Sequence, residues 1–131
     1  MKNTLIFLLI FTFFSCASHR SLDFQEISLG RSGGFTGQGI EYRINNKGLV
    51  TKIVKDSIII FKQLNNKDMN VLKTVIEDAK LDSIEINEYG NMTYFIEIKK
   101  LNNSKIFRWT DTSNIQKLKE IYKSIFKTIK K

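Results

Sequence analysis

The chain has 131 residues, 42% of them hydrophobic, enough for one small domain with a single core. A single cysteine excludes an internal disulfide framework and a zinc–cysteine cluster, and a single histidine leaves little for metal or triad chemistry. The formal net charge is +8, from 21 basic and 13 acidic residues. No block of five or more lysines occurs, so the excess reads first as a solubilising surface.

The N-terminus carries the strongest local signal. Lys2 precedes an apolar run from Leu5 to Phe14, broken only by Thr12, and Ser15-Cys16-Ala17-Ser18 follows. A basic start, an apolar core and small residues at a cut site make a secretory signal. The run is too short to span a bilayer comfortably, which takes about 20 residues. The segment resembles the lipobox region of bacterial lipoproteins of the Bacteroidota, in which the cysteine is acylated and becomes the mature N-terminus.

That resemblance implies a signal peptide over 1–15 and lipidation at Cys16; the polar residues 16–23 then read as a tether, and the remaining length makes a single domain over 24–131. It implies a chain held in the cell envelope through an N-terminal lipid. No acidic stretch follows Cys16, which implies that the domain faces the periplasm. Export argues against nucleic acid as a partner. The basic surface would then meet anionic headgroups or acidic envelope polymers. A lipidated Cys16 leaves no thiol for catalysis.

Beyond the tether, Phe24 to Gly30 reads as a half-buried strand, with Gln25, Ile27 and Leu29 on its mostly apolar side. Arg31-Ser32-Gly33-Gly34-Phe35-Thr36-Gly37 reads as a glycine-rich loop. A second strand is expected over Gln38 to Asn45, with Ile40, Tyr42 and Ile44 on one face. Asn45-Asn46-Lys47-Gly48 is a turn. Leu49 to Val54 and Ser57 to Leu64 give two more strands about Lys55-Asp56. Their Ile58-Ile59-Ile60-Phe61 run looks like the most buried stretch of the domain.

Asn65 or Asn66 can cap a helix reaching to about Lys80, with Val71, Leu72, Val75, Ile76 and Ala79 as its stripe. Lys80 would complement the helix dipole. Leu81 to Gly90 is irregular, anchored by Ile84 and Ile86. Met92 to Leu101 alternates as a strand, Asn102-Asn103 turns, and Lys105 to Thr110 pairs back. Ser113 and Gln116 have the spacing of a capping box. The last helix carries Ile115, Leu118, Ile121, Tyr122, Ile125, Phe126 and Ile129 on one face. The order predicts an α+β domain: an antiparallel sheet, one helix between strands, and a C-terminal amphipathic helix packed on one face.

Catalysis finds little support. His19 lies in the tether with no scaffold to hold it against a nucleophile. Glu77, Asp78, Glu85, Glu88 and Asp111 show no spacing that pairs two carboxylates on one rigid element. No metal or cofactor site is expected, and the chain is read as a non-enzyme. The glycine cluster stands out: Gly30, Gly33, Gly34, Gly37 and Gly39 are five of the seven glycines. It lacks the Gly-Lys-Ser/Thr ending of a phosphate loop and no helix follows it. Phe35 is either a core plug or an outward apolar contact.

The stretch Ile27-Ser28-Leu29-Gly30-Arg31-Ser32-Gly33-Gly34-Phe35-Thr36-Gly37 resembles the opening of the emfourin family, small bacterial inhibitors of thermolysin-type metalloproteases such as protealysin. In that pattern a strand, Arg-Ser-Gly-Gly-Phe-small-Gly and a second strand are followed by a helix, a strand around a tyrosine and a closing helix. Under that resemblance Leu72 to Leu81, Tyr94 to Ile98 and Leu118 to Ile129 would play those parts, with Arg31 to Gly37 as its specific segment. The resemblance implies a protein-binding loop made of Arg31, Ser32, Gly33, Gly34, Phe35, Thr36 and Gly37, with a metalloprotease as partner. The alternative reading is a structural envelope lipoprotein that binds anionic polymer, lipid or a partner subunit through its basic surface.

Overall fold

A computed structural model describes residues 24–131. The readings of residues 1–15, of Cys16 and of the tether with His19 lie outside the described residues. The described chain forms six strands and two helices. In order they are β1 (Glu26–Gly33), β2 (Ile40–Asn45), β3 (Leu49–Val54), β4 (Ser57–Gln63), α1 (Asn66–Asp78), β5 (Met92–Lys99), β6 (Ser104–Thr110) and α2 (Gln116–Lys130), with a short 3-10 turn at Leu81–Ser83. All six strands join one antiparallel sheet in the order β4-β3-β2-β1-β5-β6. The expected α+β architecture is the one observed.

Register explains the core. Across β1, Ile27 lies between Ile44 and Ile98, and Leu29 lies between Tyr42 and Ile96. Val50 opposes Ile44, Phe107 opposes Ile96, and Trp109 opposes Tyr94. With a side-chain period of two, these residues all fall on one face. Against that face α1 buries Met69 and Leu72, and α2 buries Leu118, Ile121, Ile125 and Ile129. Each fully buried aliphatic side chain contributes about 1.5–3 kcal/mol of transfer free energy, so this two-layer contact holds the domain. The opposite face is polar at its centre. Arg43 pairs with Glu41 at 2.5 Å and Lys99 with Glu26 at 2.9 Å. Such exposed pairs add little stability.

Helix α1 starts where its cap dictates. The Asn65 side chain accepts from the Asp68 N–H at 2.8 Å. Asn66 is already inside the helix. Asn65→Ala is therefore expected to lower stability by about 1 kcal/mol in urea unfolding, whereas Asn66→Ala changes it by only a few tenths. The segment after α1 is not loose. Glu88 N–H donates to the Arg108 carbonyl at 3.0 Å, and the Arg108 side chain reaches Asn87 Oδ1 at 3.1 Å. This segment lies along the outer edge of β6 and covers it.

Four sequence expectations are corrected. The Ile58–Phe61 run is not the most buried stretch: β4 is the outermost strand at the other edge, and Ile58 and Ile60 are 69% and 73% exposed. A continuous apolar run cannot tell a central strand from an edge strand by itself. Val71 leaves the apolar stripe of α1 and is exposed, its place in the core taken by Met69. Ser113 does not cap α2, whose first flanking residue is Ile115 with no side-chain cap. The Ser113 hydroxyl instead accepts from Thr110 N–H at 2.8 Å and donates to Glu88, closing the turn after β6. Finally, Arg31, Ser32 and Gly33 belong to β1, which stays paired to β5 through Gly33 opposite Met92.

Candidate protein-binding loop

The candidate site is part strand and part loop. Its first three residues are rigid strand, and only Gly34 to Gly39 form the connection to β2. Gly33 takes φ +101°, and a Cβ there would lie 2.1 Å from the Asn91 carbonyl oxygen, so no other residue fits this strand end without displacing backbone. Gly34 N–H donates to the same Asn91 oxygen at 2.6 Å, and Gly37 N–H closes a turn on the Gly34 carbonyl at 3.1 Å. The loop is thus tied at its base to the segment entering β5.

Phe35 sits at its tip with 107% relative exposure. Of the two presentations left open by the sequence, the outward one is observed. Full exposure of a phenyl ring forgoes the roughly 1.5–3 kcal/mol that burial would supply, so folding does not account for this placement. Thr36 and Gly37 flank the ring and are exposed as well.

Arg31, at the strand end that leads into the loop, borders a second feature. It stands opposite Ile40 and Tyr94 on the helix-bearing face. There it borders a hollow of about 290 Å³ lined also by Tyr42, Tyr94, Tyr122, Phe126 and Lys130. Aromatic rings run in contact across it: Tyr42 meets Phe126 edge-on at 5.5 Å, Phe126 stacks on Tyr122 at 6.0 Å, and Tyr122 meets Tyr94 edge-on at 5.7 Å. Lys130 Nζ lies 4.6 Å from the Phe126 ring centre. Tyrosine and arginine are the residue types enriched where one protein binds another, and here both line the same hollow.

Sequence reasoning found Arg31 and Phe35 but missed Tyr94, Tyr122 and Lys130. The two tyrosines read as core because they fall in apolar stripes. Their hydroxyls were the available signal, since a hydroxyl at the margin of a stripe marks a residue that meets solvent at one end.

Burial raises the Tyr122 hydroxyl pKa from 10.0 to about 12, while nearby Arg31 opposes the shift. Tyr94 and Tyr42 also face it and raise it further. An unfolded tyrosine ionises near 10.0 while the folded one keeps its proton to about 12, so the stabilisation is complete below pH 10 and is lost as pH rises through 12. Allowing for its partial solvent contact, the loss is on the order of 1–2 kcal/mol. In urea melts, Tyr122→Phe is expected to flatten the alkaline limb of stability between pH 10 and 12 relative to wild type.

A second recess of about 240 Å³ lies at the other end of the sheet, beneath the end of α1. Lys105 Nζ there donates to the Leu81 and Asp82 carbonyls at 3.1 and 2.8 Å, and Lys73 pairs with Glu77 at 3.8 Å. Lys105 ties the 3-10 turn to β6, while the i,i+4 pair of Lys73 and Glu77 adds little. Among the described residues no group of three or more histidine, cysteine or acidic side chains is placed to hold a metal ion. No helix among them is long and apolar enough to cross a membrane. No protein-family model matches the chain, and no curated protein matches it.

Proposed function

We propose that the chain is an envelope lipoprotein anchored through Cys16, whose domain works by binding another protein rather than by catalysis. The observation that carries this reading is Phe35, fully exposed at the tip of a loop whose base is fixed by strand pairing and by the Gly34–Asn91 hydrogen bond. A rigid support lowers the entropy lost on association, which favours such a tip as an anchor. The likeness of Arg31 to Gly37 to the emfourin loop makes a thermolysin-type metalloprotease the first partner to test, with inhibition as the activity. The test is titration of the purified protein against a panel of such proteases. Stoichiometric loss of protease activity supports the proposal, and no inhibition by folded protein refutes the protease assignment.

The lysines of α2 favour a second reading. Lys117, Lys119, Lys123, Lys127 and Lys130 lie on one helix with Glu120 as its sole acidic residue. In that reading the basic surface meets anionic polymer, lipid or a partner subunit. The two differ in salt dependence. Binding through α2 falls steeply between low and high ionic strength, while binding through Phe35 changes little, as a sedimentation assay at two salt concentrations will show. Anchoring has its own test: a fatty-acid analogue labels wild type, and equal labelling of Cys16→Ala would rule out lipid at that residue.

A further inference from the structure

We propose that the domain pairs with a second copy of itself through the free edge of β4, forming one continuous antiparallel sheet across a two-fold axis. The two edges of the sheet are treated differently. The chain covers β6 with its own segment, through the Glu88–Arg108 backbone bond and the Asn87–Arg108 bridge. Among the described residues no strand pairs with the outer side of β4. Such an edge offers a row of unpaired N–H and C=O groups, and natural proteins blunt it with charge, proline or cover. From Ser57 to Phe61 β4 carries none of these. Instead it presents Ile58, Ile59, Ile60 and Phe61, all exposed, on both faces of the sheet.

The occupant follows from the strand's own sequence. An antiparallel pair centred on Ile59 sets Ile59 opposite its symmetry mate. Ile58 then faces Ile60 of the second copy, and Phe61 faces Ser57. In the same register Asp56 of each copy comes level with Lys62 of the other, so the apolar centre is bracketed by opposite charges at both ends. Self-complementarity of this kind is what a two-fold interface requires. The irregularity opposite Val50 and Thr51 falls at the Phe61 end of β4, leaving Ser57 to Ile60 in regular pairing with β3. The interface also accounts for the exposure of Ile58, Ile59 and Ile60, whereas Phe61 already meets Tyr42 edge-on at 5.4 Å.

The register makes the test specific. Residues directly opposite on antiparallel strands have Cα atoms about 4.5–5.5 Å apart, within disulfide range, while residues two positions out of register do not pair directly. In the full chain carrying Cys16→Ser, held in mild detergent, Ile59→Cys is expected to form a disulfide dimer on mild oxidation. Ile58→Cys should give several-fold less, and Leu101→Cys, at another exposed site, only background. Without oxidant, Ile60→Lys is expected to shift the wild-type dimer to monomer in sedimentation, with an unchanged far-ultraviolet circular dichroism spectrum. Cross-linking of Ile59→Cys no greater than that of Leu101→Cys, or a wild-type chain that sediments as a monomer, would overturn the proposal. So would stronger cross-linking at Ile58→Cys than at Ile59→Cys.

Discussion

Phe35→Ala is expected to weaken partner binding by about 30- to 1000-fold, equivalent to roughly 2–4 kcal/mol, and to leave the unfolding curve where it is. Both halves follow from one fact: the ring is 107% exposed and touches no core residue. Truncating it removes no buried area, so stability should move by no more than about 0.5 kcal/mol. The backbone that holds the tip is untouched, because Gly33 and Gly34 keep their contacts with Asn91. Calorimetric titration beside a urea melt checks the pair. A folded Phe35→Ala protein that binds like wild type would remove the tip from the account, and a protein that unfolds would show the ring to be structural.

Trp109→Ala is expected to do the opposite and to cost about 3–5 kcal/mol of stability. Trp109 is fully buried in β6, stacks on Tyr94 at 6.1 Å and meets Tyr122 edge-on at 5.7 Å. Its removal leaves a cavity beneath the two tyrosines that line the hollow beside Arg31. A domain of this size has only about 5–15 kcal/mol in total, so the variant should melt many degrees earlier. Differential scanning calorimetry measures this directly. Where the variant still folds, binding should weaken too, because Tyr94 and Tyr122 lose the surface that positions them. Phe35→Ala and Trp109→Ala thus separate recognition from support.

The sequence made the frame of this domain readable for a physical reason. Alternation in Ile40-Tyr42-Ile44 and Tyr94-Ile96-Ile98, and helical spacing in Leu118-Ile121-Ile125-Ile129, each report a face turned to one core, and all of them point the same way in the structure. Turns at Asn45–Gly48 and after Leu101 follow from residues that suit them. What stayed hidden depends on neighbours distant in the chain. Whether Ile58–Ile60 lies in the middle of a sheet or at its edge is set by strand order, which no local pattern encodes. Ser113 has the spacing of a cap, yet Thr110 and Glu88 compete for its hydroxyl and win.

The site was legible in part. The glycine cluster marked the place, because only unusual backbone needs so many glycines. The direction of Phe35 was not legible, since a phenylalanine among glycines fits a core plug as well as an exposed tip. Arg31 to Gly33 read as loop because glycine and serine suit turns, whereas pairing with Tyr94, Thr93 and Met92 extends β1 through them. That extension matters for function. It places Arg31 on rigid strand beside Tyr94 and Tyr122, so the candidate surface is a strand end and a helix flank as well as a loop.

The measurement that bears most directly on the central claim is the affinity of wild type and Phe35→Ala for a thermolysin-type protease, taken at low and at high salt. The account predicts saturable binding by wild type that changes little with salt and falls by more than about tenfold, or 1.4 kcal/mol, in the folded variant. Binding that is equal in the two proteins and collapses with salt would contradict it and assign recognition to the basic face of α2.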